Sequence, residues 1–193
     1  MNLILKQLMK NSLIVVFLSS CFLYGSGNED IEIKDFFKNL YNKTVILEIN
    51  QQSVSYNAKL SINSNQISFD TAMFDGTVSV FKDSLISSYD LNEKIIILEN
   101  AEKNFLEFFD FENFENAKLI TINTINNYSS YHYNYLNNKL LIKFDDTKKQ
   151  VYSISLTQFD KIVFDCFVGS VESFQDPLTN LKVDDTWQVI DWR

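Results

Sequence analysis

The sequence predicts an α+β protein dominated by β structure, with a strongly curved, half-open antiparallel sheet of about ten strands and helices packed on its concave face. Three observations lead to this prediction. Apolar and polar residues alternate with a period of two from Thr44 onward, which is typical of strands with one buried face. Short polar pairs link these runs, and such links are too short for the crossover between parallel strands. Hydrophobic residues make up 46% of the chain, which is enough for a globular core.

Two helices are predicted to cover the sheet. The first spans residues 30–42, with acidic residues in its first turn, where they favour a helix. Four apolar residues fall at helical spacing on one of its faces: Ile33, Phe36, Phe37 and Leu40. The second helix is predicted over residues 101–109, where the alternation stops. Three phenylalanines share its apolar face: Phe105, Phe108 and Phe109.

The strands fall into two runs on either side of the second helix. The first run comprises residues 45–49, 56–62, 66–70, 77–81, 85–89 and 94–99. The second run comprises residues 118–125, 130–136, 139–144, 150–158, 161–168 and 187–192. Asn137 and Asn138 stand between two of these strands and favour a hairpin turn, because asparagine tolerates a positive φ. No repeat or linker interrupts the pattern, so residues 28–193 are predicted to form a single domain.

The first 27 residues are predicted to be an export signal. Lys6 and Lys10 give a positive start, residues 12–18 form an apolar run, and small residues follow. This run is too short to span a bilayer core of about 30 Å, which needs roughly 20 apolar residues. The predicted destination is the periplasm.

Two cleavage sites fit the end of this signal. Residues 18–21 match a bacterial lipobox, in which Cys21 is acylated and becomes the first residue of a membrane-anchored lipoprotein. The competing cut follows Gly27, with small residues at the positions that need them. Apolar residues 22–24 directly follow Cys21 and argue against a polar tether there. We expect the soluble product, with the lipid anchor on Cys21 as the alternative.

Composition excludes most catalytic and nucleotide-binding classes. The net charge of −8 argues against a nucleic-acid partner. After the signal only Gly76 and Gly169 remain, so no glycine-rich phosphate loop can form. His132 is the only histidine, which argues against histidine zinc sites and histidine-based triads. Cys166 stands alone in an apolar run and is predicted to be a buried thiol. We therefore expect no enzyme, cofactor or metal; paired carboxylates remain the minor catalytic alternative.

The chain has more apolar surface than a simple two-layer fold needs. Five phenylalanines fall within residues 105–114, whereas one amphipathic helix buries a single stripe. Residues 95–98 and 140–142 are apolar on both strand faces. Three explanations remain open: an ordinary second layer, a partner surface, or a cavity for an apolar ligand.

The order of these segments resembles the outer-membrane lipoprotein carrier family of bacteria, the LolA and LolB type, over roughly residues 30–190. The matching stretches are residues 30–42 with 44–47, 56–62 with 67–69, 76–90 ending in Tyr89 and Asp90, 139–163 with Asp160 at a turn, and 189–191. Two features differ from the family pattern. The family's glycine before the second strand would fall near Asn57 or Ala58. The family's Arg-Pro pair after the second strand, whose arginine holds the lid closed, is replaced by residues 62–65 (INSN).

The resemblance implies a half-open sheet with helices as a lid over an apolar cavity. Such carriers hold the acyl chains of lipoproteins and deliver them through the periplasm towards the outer membrane, without nucleotide or metal. The implied partners are acylated lipoproteins, an inner-membrane release complex and an outer-membrane acceptor, and the carrier is a monomer. The alternative is an outer-membrane acceptor or envelope interaction protein with the same fold, anchored through Cys21.

On this interpretation the helix over residues 101–109 is the lid, and its phenylalanines line the cavity together with residues of the sheet. The predicted lipid-binding residues are Ile62, Phe69, Phe105, Phe108, Phe109, Ile122, Phe144 and Ile154. A one-residue error in strand parity would place any strand residue of this set on the opposite face.

Overall fold

A computed structural model describes residues 30–51, 54–100, 108–135 and 138–193. The chain divides into two compact units, Met1–Ile31 and Glu32–Arg193. Only the last two residues of the first unit are described, so the predicted export signal, with Cys21, lies outside the described residues. The second unit contains the sheet.

The described ranges contain two helices and twelve strands. The helices are α1 (Ile31–Asn39) and α2 (Phe111–Phe114). The strands are β1 (Lys43–Gln51), β2 (Val54–Ile62), β3 (Ile67–Asp70), β4 (Thr77–Lys82), β5 (Leu85–Asp90), β6 (Ile95–Asn100), β7 (Lys118–Ile125), β8 (Tyr128–Tyr135), β9 (Asn138–Asp145), β10 (Gln150–Gln158), β11 (Lys161–Ser173) and β12 (Gln188–Asp191). Neither helix is long and apolar enough to cross a membrane.

All twelve strands belong to one sheet, in the order β12-β6-β5-β4-β3-β2-β1-β11-β10-β9-β8-β7. It consists of two meanders, β1 to β6 and β7 to β11, which are joined where β1 pairs with β11. The sheet is open, because the edge strands β7 and β12 do not pair with each other. The predicted α+β class, dominated by an open sheet, is confirmed.

The structure adds two details to the predicted sheet. It has twelve strands, one for each predicted segment, and it is mostly rather than wholly antiparallel, because β12 pairs with β6 in parallel. The parallel pair arises because β12 follows a long connection, residues 174–187, rather than a tight turn. A connection of this length can carry the chain across the sheet before it adds a parallel strand.

The connection from β11 to β12 crosses the outer face of the first meander. Thr44 and Ser61 pair across β1 and β2 on the face opposite to that of Val45. The backbone N–H of Gln175 donates to Thr44 Oγ1 at 2.8 Å. At the far edge, Lys94 Nζ donates to Thr186 Oγ1 at 3.1 Å. The connection therefore runs over this face from β1 to β6.

The described part of the connection from β6 to β7, residues 108–117, lies on the other face, which carries the core. Together with α1 it forms a layer over the sheet. Six buried side chains of this layer belong to the core: Ile33, Phe37, Leu40, Phe108, Phe109 and Phe114. The rings of Phe37 and Phe114 stack with centroids 4.1 Å apart, which ties α1 to α2.

The first predicted helix is confirmed with shorter bounds, since α1 ends at Asn39 and the chain turns at Asn42, which has a φ of 56°. The second is different. The structure places a helix at Phe111–Phe114, and Asp110 caps it by accepting a hydrogen bond from Glu112 N at 3.1 Å. Residues 101–107, and Phe105 with them, lie outside the described residues. The predicted lid is therefore described only at its last two residues.

In two of the described hairpins, both residues of a two-residue turn have a positive φ. Asp83 and Ser84 join β4 to β5 with φ values of 50° and 61°. Phe159 and Asp160 join β10 to β11 with φ values of 49° and 58°. Two consecutive positive φ values are the signature of a type I′ turn, which matches the twist of antiparallel strands. The predicted hairpin between β8 and β9 is also present, and its loop, residues 136–137, lies outside the described residues.

Candidate functional site

A pocket of about 630 Å³ opens where α1 ends and where β2–β3 and β4–β5 turn. Its volume lies within the range of about 300–1,000 Å³ that is common for small-molecule sites. The lining residues come from three places: the end of α1, two neighbouring turns of the sheet, and the segment Phe109 to Glu112. The pocket thus lies between the sheet and the layer that covers it.

The floor of the pocket is apolar because of the strand register. Ile62 of β2 lies opposite Ile67 of β3, and Ile67 lies opposite Phe81 of β4, so the three side chains form a row on the core face. Ile62 and Ile67 are buried and Phe81 is half-buried. Phe37 and Phe109 belong to the covering layer and line the pocket opposite this row, with ring centroids 6.2 Å apart.

The rim of the pocket is polar. The turn between β2 and β3 is held by Asn63, whose Oδ1 accepts hydrogen bonds from the backbone N–H groups of Asn65 at 2.7 Å and Gln66 at 2.9 Å. Five charged side chains share the rim with it: Lys38, Lys82, Asp83, Asp110 and Glu112. An apolar floor with a polar rim fits a ligand that has an apolar chain and a polar head.

All the predicted lipid-binding residues that are described face the core. Five are buried in it: Ile62, Phe108, Phe109, Phe144 and Ile154. Phe69 and Ile122 are half-buried and pack against the same cluster. Phe105 lies outside the described residues.

Only Ile62 and Phe109 of that set line the pocket. The alternation of the strands therefore predicted the correct face, while most of the predicted positions are filled core rather than cavity wall. That these residues bind lipid stays a prediction.

Sequence reasoning missed several lining residues: Phe37, Ile67, Phe81 and Phe111. A signal for two of them was present in the sequence. Ile62 and Ile67 flank a polar turn, so they must face each other across a hairpin, and Phe81 directly precedes another turn. The pocket forms at this end of the sheet, beside the β2–β3 and β4–β5 turns.

His132 and Cys166, the two other groups that the sequence analysis considered, lie outside the residues that line the pocket. His132 is half-exposed on the outer face, and its Nε2 lies 3.5 Å from Asn123 Nδ2. Cys166 is a buried free thiol, as predicted, and burial raises its pKa to about 12. Within the described ranges no three or more His, Cys, Asp or Glu side chains come together in a way that could hold a metal ion.

Comparison with known proteins gives similarity in structure but not in sequence. No protein-family model and no curated protein matches the chain. The fold is similar to that of an uncharacterized conserved protein from Thermus thermophilus, with a TM-score of 0.53 and 8% identity, over 86% of this chain and 99% of that one. A LolA superfamily protein from Nitrosomonas europaea matches with a TM-score of 0.39 and 8% identity, over 70% of this chain and 86% of that one. The first similarity concerns the fold alone, and the second is too low to carry an argument.

Proposed function

We propose that this protein is a periplasmic carrier that binds the acyl chains of lipoproteins in its pocket and delivers them towards the outer membrane. The observation that carries the proposal is the pocket itself, with a floor of aligned apolar side chains and a polar rim. The excess of phenylalanine in the segment that covers the floor supports it. The sequence resemblance to lipoprotein carriers supplies the cargo class and the direction of transport.

The proposed mechanism is reversible burial rather than catalysis. Each CH₂ group that enters an apolar site contributes about 0.8 kcal/mol, so capture of an acyl chain is favourable and release is the difficult step. Release requires the pocket to open. Phe109 lines the pocket, and its neighbour Phe108 packs 4.1 Å away from it, so movement of this segment would expose both rings.

The proposed partners follow from this mechanism. A donor at the inner membrane would load the carrier with an acylated lipoprotein, and an acceptor at the outer membrane would offer the acyl chains a better site. Neither step needs a nucleotide or a metal at the carrier. We propose that the carrier acts as a monomer and that it is not an enzyme.

The first test is to identify what co-purifies with the protein. Native mass spectrometry after gentle purification from the periplasm should show a species that carries acyl chains, and an apolar fluorophore should bind to the emptied protein. If no lipid co-purifies and the fluorophore fails to bind, the carrier proposal is wrong.

A pair of matched variants tests whether the ligand binds in the pocket. Phe81 and Phe69 are half-buried phenylalanines on the core face of neighbouring strands, but only Phe81 lines the pocket. Phe81→Ser should weaken fluorophore binding about five- to tenfold, because it removes a half-buried apolar wall. Phe69→Ser should lower the free energy of unfolding and leave the affinity unchanged. Equal effects of the two variants on affinity would contradict binding in this pocket.

An anchored outer-membrane acceptor with the same pocket is the second candidate, and the lipobox ending in Cys21 favours it. The mass of the mature N-terminus separates the two candidates. A chain that begins after Gly27 is a soluble carrier, whereas a chain that begins at an acylated Cys21 is a tethered acceptor.

A further inference from the structure

The ionisable groups at the pocket rim are not paired with one another. Ion pairs elsewhere in the described residues join Lys139 with Asp160, Lys148 with Asp145, Lys149 with Glu32, and Arg193 with Asp191. None of these pairs involves a residue of the rim, although the rim brings two lysines and three acids around one opening.

One of the three acids already has a structural role. Asp110 caps α2, with Oδ1 accepting from Glu112 N at 3.1 Å and Oδ2 accepting from Asn113 Nδ2 at 3.4 Å. The other two acids, Asp83 and Glu112, are exposed, as are Lys38 and Lys82. Two ammonium groups and two carboxylates are therefore available to a ligand at the mouth of an apolar pocket.

We propose that the pocket takes an amphiphile with a zwitterionic head, in which a phosphate-type anion and an ammonium group follow an apolar chain. This inference rests on the proposed function in one respect, that an acyl chain occupies the apolar floor, and it adds a lipid with this head to the lipoproteins as a second ligand of the same pocket. The anion of the head would lie against Lys38 and Lys82, and its ammonium group against Asp83 and Glu112.

The balance of charge at the rim is what selects this head. An anionic head would meet two lysines but also two carboxylates, and a cationic head would meet the reverse, so each gains attraction and repulsion together. A neutral head would form no ion pair with any of the four groups. Because exposed ion pairs are weak, each pair should change the affinity by a few-fold at most, and the preference should decrease as salt is added.

Four dodecyl amphiphiles with the same chain test the head alone. The full-length protein is titrated, below each critical micelle concentration, with dodecylphosphocholine, dodecyl phosphate, dodecyltrimethylammonium and dodecyl maltoside, which compete with an apolar fluorophore. We expect dodecylphosphocholine to bind about three- to tenfold tighter than the other three. Equal binding of dodecylphosphocholine and dodecyl maltoside, or tighter binding of either singly charged amphiphile, would overturn the inference and leave the carrier proposal intact. Binding by none of the four would overturn both.

Charge-removing variants test whether the head of the amphiphile lies at the rim. The double variant Lys38→Gln with Lys82→Gln should weaken dodecylphosphocholine binding several-fold and make dodecyl phosphate the weakest of the four. Asp83→Asn with Glu112→Gln should weaken dodecylphosphocholine binding and strengthen that of dodecyl phosphate. The control is Lys143→Gln, an exposed lysine on β9 away from the pocket, which should change nothing. If the control shifts the preference as much as the rim variants do, the head does not lie at the rim.

Discussion

Cys166 lies on the core face of β11, where its register partners are Ile49 of β1 and Ile154 of β10. Burial among these apolar neighbours disfavours the thiolate and raises the pKa of the thiol to about 12. The negative charge of Asp165 next to it raises the pKa in the same direction, by a smaller amount. A thiol of this kind packs as a small apolar group rather than acting as a nucleophile.

The native thiol should therefore be unreactive. In a chain carrying Cys21→Ser, maleimide at pH 8 should label Cys166 only after the protein is unfolded, because the thiolate is the reacting form. Labelling of the native protein at the rate of a free thiol would contradict this burial.

The same thiol should make stability depend on alkaline pH. An unfolded cysteine loses its proton near pH 8.5, whereas the native thiol keeps its proton up to about pH 12. The unfolded state thus binds fewer protons between these values, so the free energy of unfolding falls with rising pH, by at most about 1.4 kcal/mol per pH unit. Denaturant unfolding at pH 7.5, 9 and 10 should show a steeper loss for the native sequence than for Cys166→Ala.

Individual residues were predictable from the sequence where their neighbours along the chain decide their surroundings. Cys166 was predicted to be buried because it stands in an apolar run. The ionic rim of the pocket was not predicted, since Lys38, Lys82 and Glu112 belong to three segments that only the tertiary fold brings together.

At the scale of elements, the β4–β5 hairpin has a turn that its second residue, Ser84, does not favour. Asp83 and Ser84 both adopt positive φ, and a left-handed conformation costs most L-residues about 1–2 kcal/mol. Glycine avoids this cost, which explains why Asp-Gly is a preferred pair in such turns.

Ser84→Gly should therefore stabilise the protein. We expect the free energy of unfolding to rise by about 0.5–1 kcal/mol, after the larger entropy of glycine in the unfolded chain is taken into account, with a rise in Tm of about 1–4 °C. Ser64→Gly, in the neighbouring β2–β3 turn, is the matched control, because Ser64 does not have a positive φ and should gain nothing. Calorimetry of the two variants checks the prediction, and equal shifts in Tm would contradict it.

Strands were easier to predict than the second helix for a physical reason. A period of two marks each strand independently of the rest of the fold, so the predicted segments agree with the strands to within a few residues at most ends. The five phenylalanines within residues 105–114 carry no such period. Three of them, Phe108, Phe109 and Phe114, are buried against α1 and the core face of the sheet, as the stacking of Phe37 on Phe114 shows, and neither contact is local in sequence.

At the scale of the whole molecule, the pairing of β1 with β11 is the seam between the two meanders. A bulge interrupts it, because Gly169 and Ser170 together lie opposite Ile46. A Cβ atom on Gly169 would lie 2.9 Å from the backbone oxygen of Ile46, which cannot move without moving β1.

Gly169→Ala should weaken this seam. We expect a loss of about 1–3 kcal/mol in the free energy of unfolding, the usual cost of inserting a methyl group into a packed site. Amide hydrogen exchange should speed up more in β1 and β11 than in β8 and β9. Ser170→Ala changes the other, exposed bulge residue and should have almost no effect; a loss as large as that of Gly169→Ala would mean that the close approach to Ile46 is not the cause.

The seam and the parallel edge were beyond what the sequence could predict. Alternation defines strands but not their partners, and β1 pairs with a strand that lies more than a hundred residues away. The pocket could not be predicted for the same reason, since its walls come from turns and helical segments that meet only in the folded protein.

The pairing of β1 with β11 also determines how long the first meander keeps an unpaired edge during synthesis. Leu47 of β1 faces Val168 of β11, so one edge of the first meander stays open until β11 has left the ribosome. At about 5–20 residues per second this interval lasts roughly 6–24 s. During that time β1 is an unpaired strand edge that other molecules can occupy, and the two meanders cannot join before β11 has been synthesised.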